Sequence, residues 1–208
     1  GKVILGTTDT PRGDLAREPD AFAEEVQFIL GESARYLKRA PTSADVKSIW
    51  VGLRPLVKPP DDDGANTKGL SREHTVLASR SGLITVTGGK WTTYRAMAED
   101  VLEKCFEQSL LKRISAGVTT NLQLVGAAGV AANRPRICDA PGGHSYGGER
   151  PAVEALPGAG HDLGGGLTEA MVRFAARHEY ARTAEDVLAR RSRLLFLDAR
   201  MAAGMASD

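Results

Sequence analysis

The stretch that most constrains the fold is residues 82–95, which reads Gly-Leu-Ile-Thr-Val-Thr-Gly-Gly-Lys-Trp-Thr-Thr-Tyr-Arg. It begins as an apolar, β-branched run and breaks at Gly88 and Gly89. After the break, apolar residues recur with the period of about 3.6 that is typical of a helix. The pattern therefore predicts a strand, a glycine turn and a helix, and an α/β arrangement for this part of the chain.

The glycine turn has two interpretations. Glycine lets the backbone approach a ligand closely, and the N–H groups of Thr92 and Thr93 would be free where the helix begins. Together with Lys90 they would form a site suited to an anion. Alternatively, the two glycines only make a tight connection between strand and helix, since this motif is much less specific than a complete phosphate-binding loop. Both interpretations stay open on these residues alone.

Composition narrows the classes of partner. The chain has 208 residues, which suits one large or two small domains. Its net charge is +1 with both signs mixed, so nothing favours nucleic acid or an anionic membrane as the main partner. Two cysteines make no disulfide framework, and no apolar run reaches the roughly 18–20 residues of a membrane span. Because the sequence begins at Gly1 directly in a strand-like pattern, we expect an excised fragment.

The chain divides into three parts by pattern. Residues 1–111 predict an α/β fold of mixed or antiparallel strands with helices, residues 112–167 an irregular linker rich in Gly, Ala and Pro, and residues 168–208 an α-helical domain in which Thr168 and Thr183 cap helices. Within the first part we expect a strand at 2–8, a helix from Asp20 to Leu37, a strand-like run at 45–57 and a hairpin at 74–87.

Four polar features outside the glycine turn need an interpretation. Arg54 follows an apolar run and is either an edge-strand charge in water or an anion ligand at a strand end. The consecutive Asp61, Asp62 and Asp63 point in different directions, so we predict no metal site. His74 has no carboxylate or second histidine at ligand spacing, which favours a structural polar role. The basic cluster 190–193 suits the last turn of a helix.

Five stretches, taken in order, resemble the flavin-dependent (FAD) glycerol-3-phosphate dehydrogenases of the aerobic, membrane-associated type. The last of them is similar to the family's C-terminal helical domain. They are Gly-Thr-Thr-Asp-Thr at 6–10, Trp-Val-Gly-Leu-Arg-Pro-Leu at 50–56, Ser-Arg-Glu-His at 71–74, Gly-Gly-Lys-Trp-Thr-Thr-Tyr-Arg at 88–95 and Glu-Tyr-Ala-Arg-Thr onward from 179 to 191.

The resemblance implies that residues 1–111 are the last part of an FAD- and substrate-binding domain. The parent protein would oxidise sn-glycerol 3-phosphate to dihydroxyacetone phosphate by hydride transfer to FAD and pass the electrons to quinone. The family's Gly-x-Gly-x-x-Gly half is missing from this sequence, so we expect this piece neither to hold FAD tightly nor to turn over. The family also implies a cytoplasmic protein in peripheral contact with the inner face of the cell membrane, and a homodimer is compatible with it.

The resemblance also implies roles for individual residues. Arg54 and Lys90 match catalytic positions near the substrate phosphate and the flavin ring. A guanidinium fork can hold a phosphate bidentately, and a lysine adds a compact charge that stabilises the negative charge of a reduced flavin. The expected substrate-binding residues are Arg54, Arg72 and His74, and the expected flavin contacts are Gly89, Lys90, Thr92 and Thr93.

Two alternatives stay open. The parent could be a glycerophosphate oxidase that reduces O₂, or a related amine oxidase, because such enzymes share these motifs with the dehydrogenases. A different class is a non-catalytic module whose helical tail, with the cluster 190–193, docks on a membrane surface or a partner.

Overall fold

The computed structural model describes residues 2–54, 73–114, 116–127 and 141–207. These residues form two compact units. The first unit contains Gly1–Thr8, Asp20–Val51 and Gln123–Asp208, and the second contains Asp9–Pro19 and Gly52–Leu122. The helices and strands are, in chain order, α1 (Ala23–Ala34), β1 (Thr75–Ala78), β2 (Ile84–Thr87), α2 (Tyr94–Glu107), α3 (Arg150–Glu154), β3 (Asp162–Gly164), β4 (Leu167–Thr168), α4 (Glu169–His178), α5 (Leu194–Leu197) and α6 (Ala199–Met205).

The second unit is built on the hairpin and helix that the sequence predicts. Strands β1 and β2 pair antiparallel, with Thr75 opposite Thr87 and Ala78 opposite Ile84. A short 3₁₀ turn, Trp91–Thr93, leads from β2 into α2. The structure therefore agrees with the predicted strand, turn and helix, although no described residue of this unit is fully buried.

The first unit holds the buried core. Its two-stranded sheet pairs β3 with β4 antiparallel, and a six-residue π-helical turn, Asp186–Arg191, follows α4. The Thr168 hydroxyl accepts the Met171 N–H at 3.4 Å, as predicted for a helix cap. The buried apolar cluster is Val153, Leu167, Ala170, Met171, Phe174, Ala175, Ala181, Val187, Leu188, Leu194 and Ala202.

Two strands predicted from apolar runs are absent from the described residues. Neither 2–8 nor 46–54 is a strand, because a strand needs a neighbouring ladder and these segments find other partners. The Ser48 hydroxyl donates to the Leu195 carbonyl at 2.8 Å and accepts the Ala199 N–H at 2.8 Å. The Trp50 ring meets Phe196 edge-on at 5.1 Å. The second run therefore lies against the C-terminal helices.

Helix α1 is shorter than predicted. It begins at Ala23 rather than at a cap on Asp20, and Phe22 occupies the cap position without a side-chain hydrogen bond. It ends at Ala34, three residues before the predicted end at Leu37. None of its residues is buried, so tertiary packing contributes little to fixing its ends.

The stretch expected to be an irregular linker is more ordered than its composition suggests. Within its described part it contains α3 and β3, and both Val153 and Leu167 belong to the buried core. Glycine and alanine are so frequent here that apolar periodicity is weak, yet a few large side chains suffice to anchor the segment.

The described helices include none with the length and apolar character needed to cross a bilayer. Within the same residues, no group of three or more histidine, cysteine and acidic side chains is placed to hold a metal ion. The three aspartates at 61–63 lie outside the described residues.

The capping box before the π turn gives a pH-dependent contribution to stability. The Asp186 carboxylate accepts the N–H groups of Arg182 and Thr183 at 2.9 and 3.1 Å, and these bonds hold its pKa below the ordinary value. A lowered pKa means stability that is present at neutral pH and is lost as the pH falls below about 4. We therefore expect Asp186→Asn to lower the free energy of unfolding at pH 7, and we expect its difference from the parent to shrink as the pH falls below about 4.

Urea unfolding at several pH values measures this difference. The control is Glu154→Gln, which removes only an exposed ion pair to Arg150 and should cost below about 0.5 kcal/mol. A gap between Asp186→Asn and the parent that stays constant from neutral to acid pH would contradict the prediction.

Candidate functional site

The turn after β2 is held by close packing within the second unit. Gly88 and Gly89 have φ angles of +76° and +78°, a left-handed region that favours glycine. A Cβ on Gly88 would lie 2.6 Å from the Glu73 carbonyl oxygen, and one on Gly89 would lie 2.6 Å from the Met97 sulfur. Both glycines are therefore required by the chain itself, which is the structural interpretation of the pair.

The residues that follow the glycines present a cation and one free backbone donor. Lys90 is exposed, and within the described part of the chain no ion pair or hydrogen bond of its ammonium group is observed. The Thr93 N–H and the Thr93 hydroxyl both donate to the Lys90 carbonyl at 3.0 Å. The expectation of a free N–H at Thr93 is therefore wrong. At Thr92 no acceptor for the backbone N–H is observed among the described residues.

We expect Gly88→Ala to loosen the hairpin. The variant places a side chain in the left-handed region and against a backbone oxygen, at a cost of about 1–3 kcal/mol. Amide hydrogen exchange in β1 and β2 should speed up by about ten- to a hundredfold. The control is Gly52→Ala in the same unit, because a Cβ there meets nothing within 4 Å. Equal exchange rates in both variants would show that the turn tolerates a side chain.

Arg54 forms an ion pair with an acidic residue of the first motif. Its Nε lies 3.9 Å from the Asp9 Oδ2, and the Arg54 side chain is 49% exposed. At that separation and exposure the pair is weak, since exposed ion pairs contribute about 0–1 kcal/mol. No partner of the terminal N–H groups of Arg54 is observed among the described residues, so within them an incoming phosphate would compete with one carboxylate.

His74 has a carboxylate partner that sequence spacing did not reveal. Its Nε2 lies 2.6 Å from the Asp100 Oδ2 on α2, although the two residues are 26 positions apart. The absence of a carboxylate at ligand spacing in the sequence therefore does not mean the absence of a carboxylate partner in space. The pairing depends on α2 lying against β1, and only the polar character of Asp100 on a helix could have suggested it. The pair borders a cavity of about 260 Å³.

The structure brings some of the predicted site residues close together, but not all of them. His74 lies beside Gly89, because a Cβ on that glycine would be 3.0 Å from the His74 Cβ. Arg54, His74 and the turn 89–93 all belong to the second unit. No direct contact joins Arg54 to Lys90 among the described residues, and Arg72 lies outside them.

A match to a family model indicates the class of protein that this chain resembles. Residues 117–208 match the family model described as the C-terminal domain of alpha-glycerophosphate oxidase. That range includes the buried core of the first unit from Val153 to Ala202. The helical part of this chain therefore resembles a domain known from alpha-glycerophosphate oxidase.

Similarity to individual proteins narrows the class. A mitochondrial glycerol-3-phosphate dehydrogenase of Arabidopsis thaliana is 36% identical over 98% of this chain and 36% of its own length. A mitochondrial counterpart from Schizosaccharomyces pombe is 33% identical over 97% and 38%. The human protein is 46% identical over 53% of this chain and 15% of its own. The chain is a relative of the glycerol-3-phosphate dehydrogenases and corresponds to the C-terminal part of a protein of that family, which confirms the resemblance.

The same relatives settle two further points. The chain spans about a third of the length of the first two relatives. Their names place them in mitochondria, which contradicts the prediction of a cytoplasmic protein at the inner face of the cell membrane.

The alternative of a non-catalytic docking module is not favoured. Its basic cluster lies inside the range that matches an enzyme domain. Two of its charges are also already paired, since Arg190 bonds Glu185 and Asp186 and Arg191 lies beside Glu179.

Proposed function

We propose that the full-length protein oxidises sn-glycerol 3-phosphate to dihydroxyacetone phosphate with FAD and passes the electrons to quinone. The observation that carries the proposal is the similarity to proteins named glycerol-3-phosphate dehydrogenases over nearly the whole chain. The names of these relatives favour a dehydrogenase over the alternative of an oxidase that uses O₂.

The residues of the turn fit the anionic edge of a flavin. The space at Gly88 and Gly89 is taken up by Glu73 and Met97, so these glycines bring no ligand closer. Among the described residues, the groups left for a cofactor are the Lys90 ammonium, for which no partner is observed there, and the N–H of Thr92 where the helix begins. FAD, when bound, accepts the hydride from C2 of the alcohol. A fixed cation and a helix N-terminus stabilise negative charge that develops beside them.

We assign the substrate side to Arg54 and His74. The Arg54 guanidinium offers a planar fork that can bind the substrate phosphate, which would displace the weak ion pair to Asp9. His74 is held by Asp100 through Nε2, so its Nδ1 is the atom free to accept a hydrogen bond from the alcohol. A histidine oriented by a carboxylate is a common arrangement for taking the hydroxyl proton. Arg72, next to His74 in the motif, stays a predicted substrate ligand.

The 208-residue chain by itself should bind no flavin tightly, because most flavin contacts would come from the part of the family's sequence that it lacks. A homodimer and peripheral membrane contact also stay predictions. The test measures flavin content and glycerol-3-phosphate-dependent reduction of a quinone analogue, for the full-length protein beside the 208-residue chain. We expect flavin and turnover only in the full-length protein.

Each of the other outcomes changes the proposal. A full-length protein without flavin would overturn the cofactor assignment. Hydrogen peroxide formed in air at the rate of substrate consumption would replace quinone by O₂ as the acceptor. Tight flavin binding by the 208-residue chain would show that the residues of the turn suffice to hold the cofactor.

A further inference from the structure

A cavity of about 460 Å³ lies in the first unit, and none of its lining residues is one assigned above to substrate or flavin. Its volume falls in the range of about 300–1,000 Å³ that is typical of small-molecule pockets. Its lining includes Arg191 and Arg193 at the end of the π turn, and residues of the glycine-containing stretch 142–149. The lining residues all belong to the same compact unit.

The backbone at these arginines departs from regular helix geometry in two ways. The π turn Asp186–Arg191 is one, and Arg193 with φ +61° is the other. Such departures cost free energy and tend to occur at functional sites. The buried Ser192 stabilises the bend, since its hydroxyl donates to the Val187 carbonyl at 2.9 Å. As a result, the residues on both sides of Ser192 line the cavity.

The charges of the three arginines in the cavity lining are satisfied to different degrees. Arg190 bonds Glu185 and Asp186, each at 2.8 Å. Arg191 lies 3.8 Å from the Glu179 carboxylate and also donates to the Glu179 carbonyl. For Arg193, no ion pair or hydrogen bond of the guanidinium is observed among the described residues. Arg193 therefore lines the cavity with a positive charge that no described residue neutralises.

The stretch 142–149 supplies neutral hydrogen-bond donors to the cavity lining. The Tyr146 ring packs edge-on against Phe174 at 5.4 Å, which fixes its position. Burial raises the pKa of Tyr146 to about 12, and the nearby Glu179 charge acts in the same direction. The phenol is therefore protonated at neutral pH and can donate a hydrogen bond. Ser145 adds a second hydroxyl, and Glu149 adds a carboxylate that can accept a bond from a ligand hydroxyl.

We propose that this cavity binds a small phosphorylated hydroxy compound. Its phosphate would lie on Arg193, with support from Arg191 and the Tyr146 and Ser145 hydroxyls, and its hydroxyl groups would face Glu149. A guanidinium with unused donors beside two hydroxyls suits phosphate oxygens, which accept several hydrogen bonds at once. The mixed lining of three arginines and two glutamates suits a ligand that carries both an anionic and a hydroxyl end.

The test is an NMR titration of the 208-residue chain with inorganic phosphate. Arg54→Gln and Lys90→Gln are present as a background, so that the candidate substrate site does not contribute. Phosphate should shift the amide signals of Gly147, Gly166 and Arg193. Arg193→Gln should weaken binding by about tenfold or more, and Tyr146→Phe by several-fold, because each removes a hydrogen bond to a charged group. Arg177→Gln, an exposed arginine on α4, is the matched control and should bind as the background does.

Three outcomes would overturn the proposal. The first is the absence of phosphate-dependent shifts at the cavity. The second is equal shifts with sodium chloride at the same ionic strength, which would mean general screening of the arginines. The third is binding that Arg193→Gln leaves unchanged. If Arg193→Gln fails to fold, Tyr146→Phe decides, because it removes one oxygen and keeps the ring on Phe174.

Discussion

Alanine at Arg54 or at Lys90 is expected to lower turnover of glycerol 3-phosphate by the full-length protein by about a hundred- to a thousandfold, with flavin still bound. Lys90 is exposed just before a helix, and among the described residues no partner neutralises its charge. Within the described part of the chain, Arg54 forms one loose ion pair, to Asp9 at 3.9 Å. Steady-state kinetics together with the flavin absorbance spectrum measures both effects.

The two variants should differ in a way that separates their roles. If Arg54 binds the phosphate, Arg54→Ala should lose activity on glycerol 3-phosphate but change little in the slow oxidation of glycerol, which lacks the phosphate. Lys90→Ala should slow both substrates, because its charge acts on the electron-accepting step that they share. Matched controls are Arg80→Ala and Lys112→Ala, exposed cations of the same unit that should keep full activity. Full activity in Arg54→Ala and Lys90→Ala would return both residues to structural roles.

The predictable part of the fold is the part encoded by local pattern. The run before Gly88 alternates apolar and polar residues and has turn residues on either side. The hairpin of β1 and β2 forms at this pattern. The caps at Thr168 and Thr183 were also readable, because a hydroxyl three residues before its backbone partner is a local signal. The residues Met171, Phe174 and Leu188 are buried as their helical spacing predicts.

The missed part depends on contacts between distant residues. The apolar run 46–51 has the composition of a strand, yet its hydrogen bonds go to α5 and α6 about 150 positions later. No local sequence pattern predicts these long-range hydrogen bonds. The pairing of His74 with Asp100 fails for the same reason, because it requires the hairpin and α2 to pack first. The composition of 141–167 also failed to predict its helix and strand, because glycines outnumber the few side chains that reach the core.

The candidate site shows the same division. Lys90 and the glycine turn follow from the strand-to-helix pattern, but the choice between a structural and a ligand-binding glycine needs the positions of Glu73 and Met97. The role of Arg54 needs Asp9, which is far away in sequence and close in space. Sequence therefore predicts which residues carry the chemistry, and the structure adds the partners that restrain them.

Phe174→Ala is expected to lower the free energy of unfolding of the first unit by about 3–5 kcal/mol. The Phe174 side chain is 4% exposed and lies in the buried cluster. Its ring contacts Tyr146 at 5.4 Å and His178 at 4.8 Å, so the substitution removes two ring contacts as well as buried area. Because a whole domain is stable by only about 5–15 kcal/mol, this loss is a large share of the total. Urea unfolding followed by far-ultraviolet circular dichroism measures it.

Phe28→Ala is the matched control, since the same substitution on α1 removes a side chain that is 58% exposed and should cost below about 1 kcal/mol. Equal losses in the two variants would mean that the first unit is not held by the cluster around Phe174. A large loss only at Phe174 would have a further consequence. The Phe174 ring also packs against Tyr146, which lines the cavity together with Arg193. Without that contact Tyr146 would lose its support. Phe174→Ala, measured at a temperature where it is still folded, should therefore also weaken phosphate binding. The same side chain therefore packs in the buried core and against Tyr146, which lines the cavity.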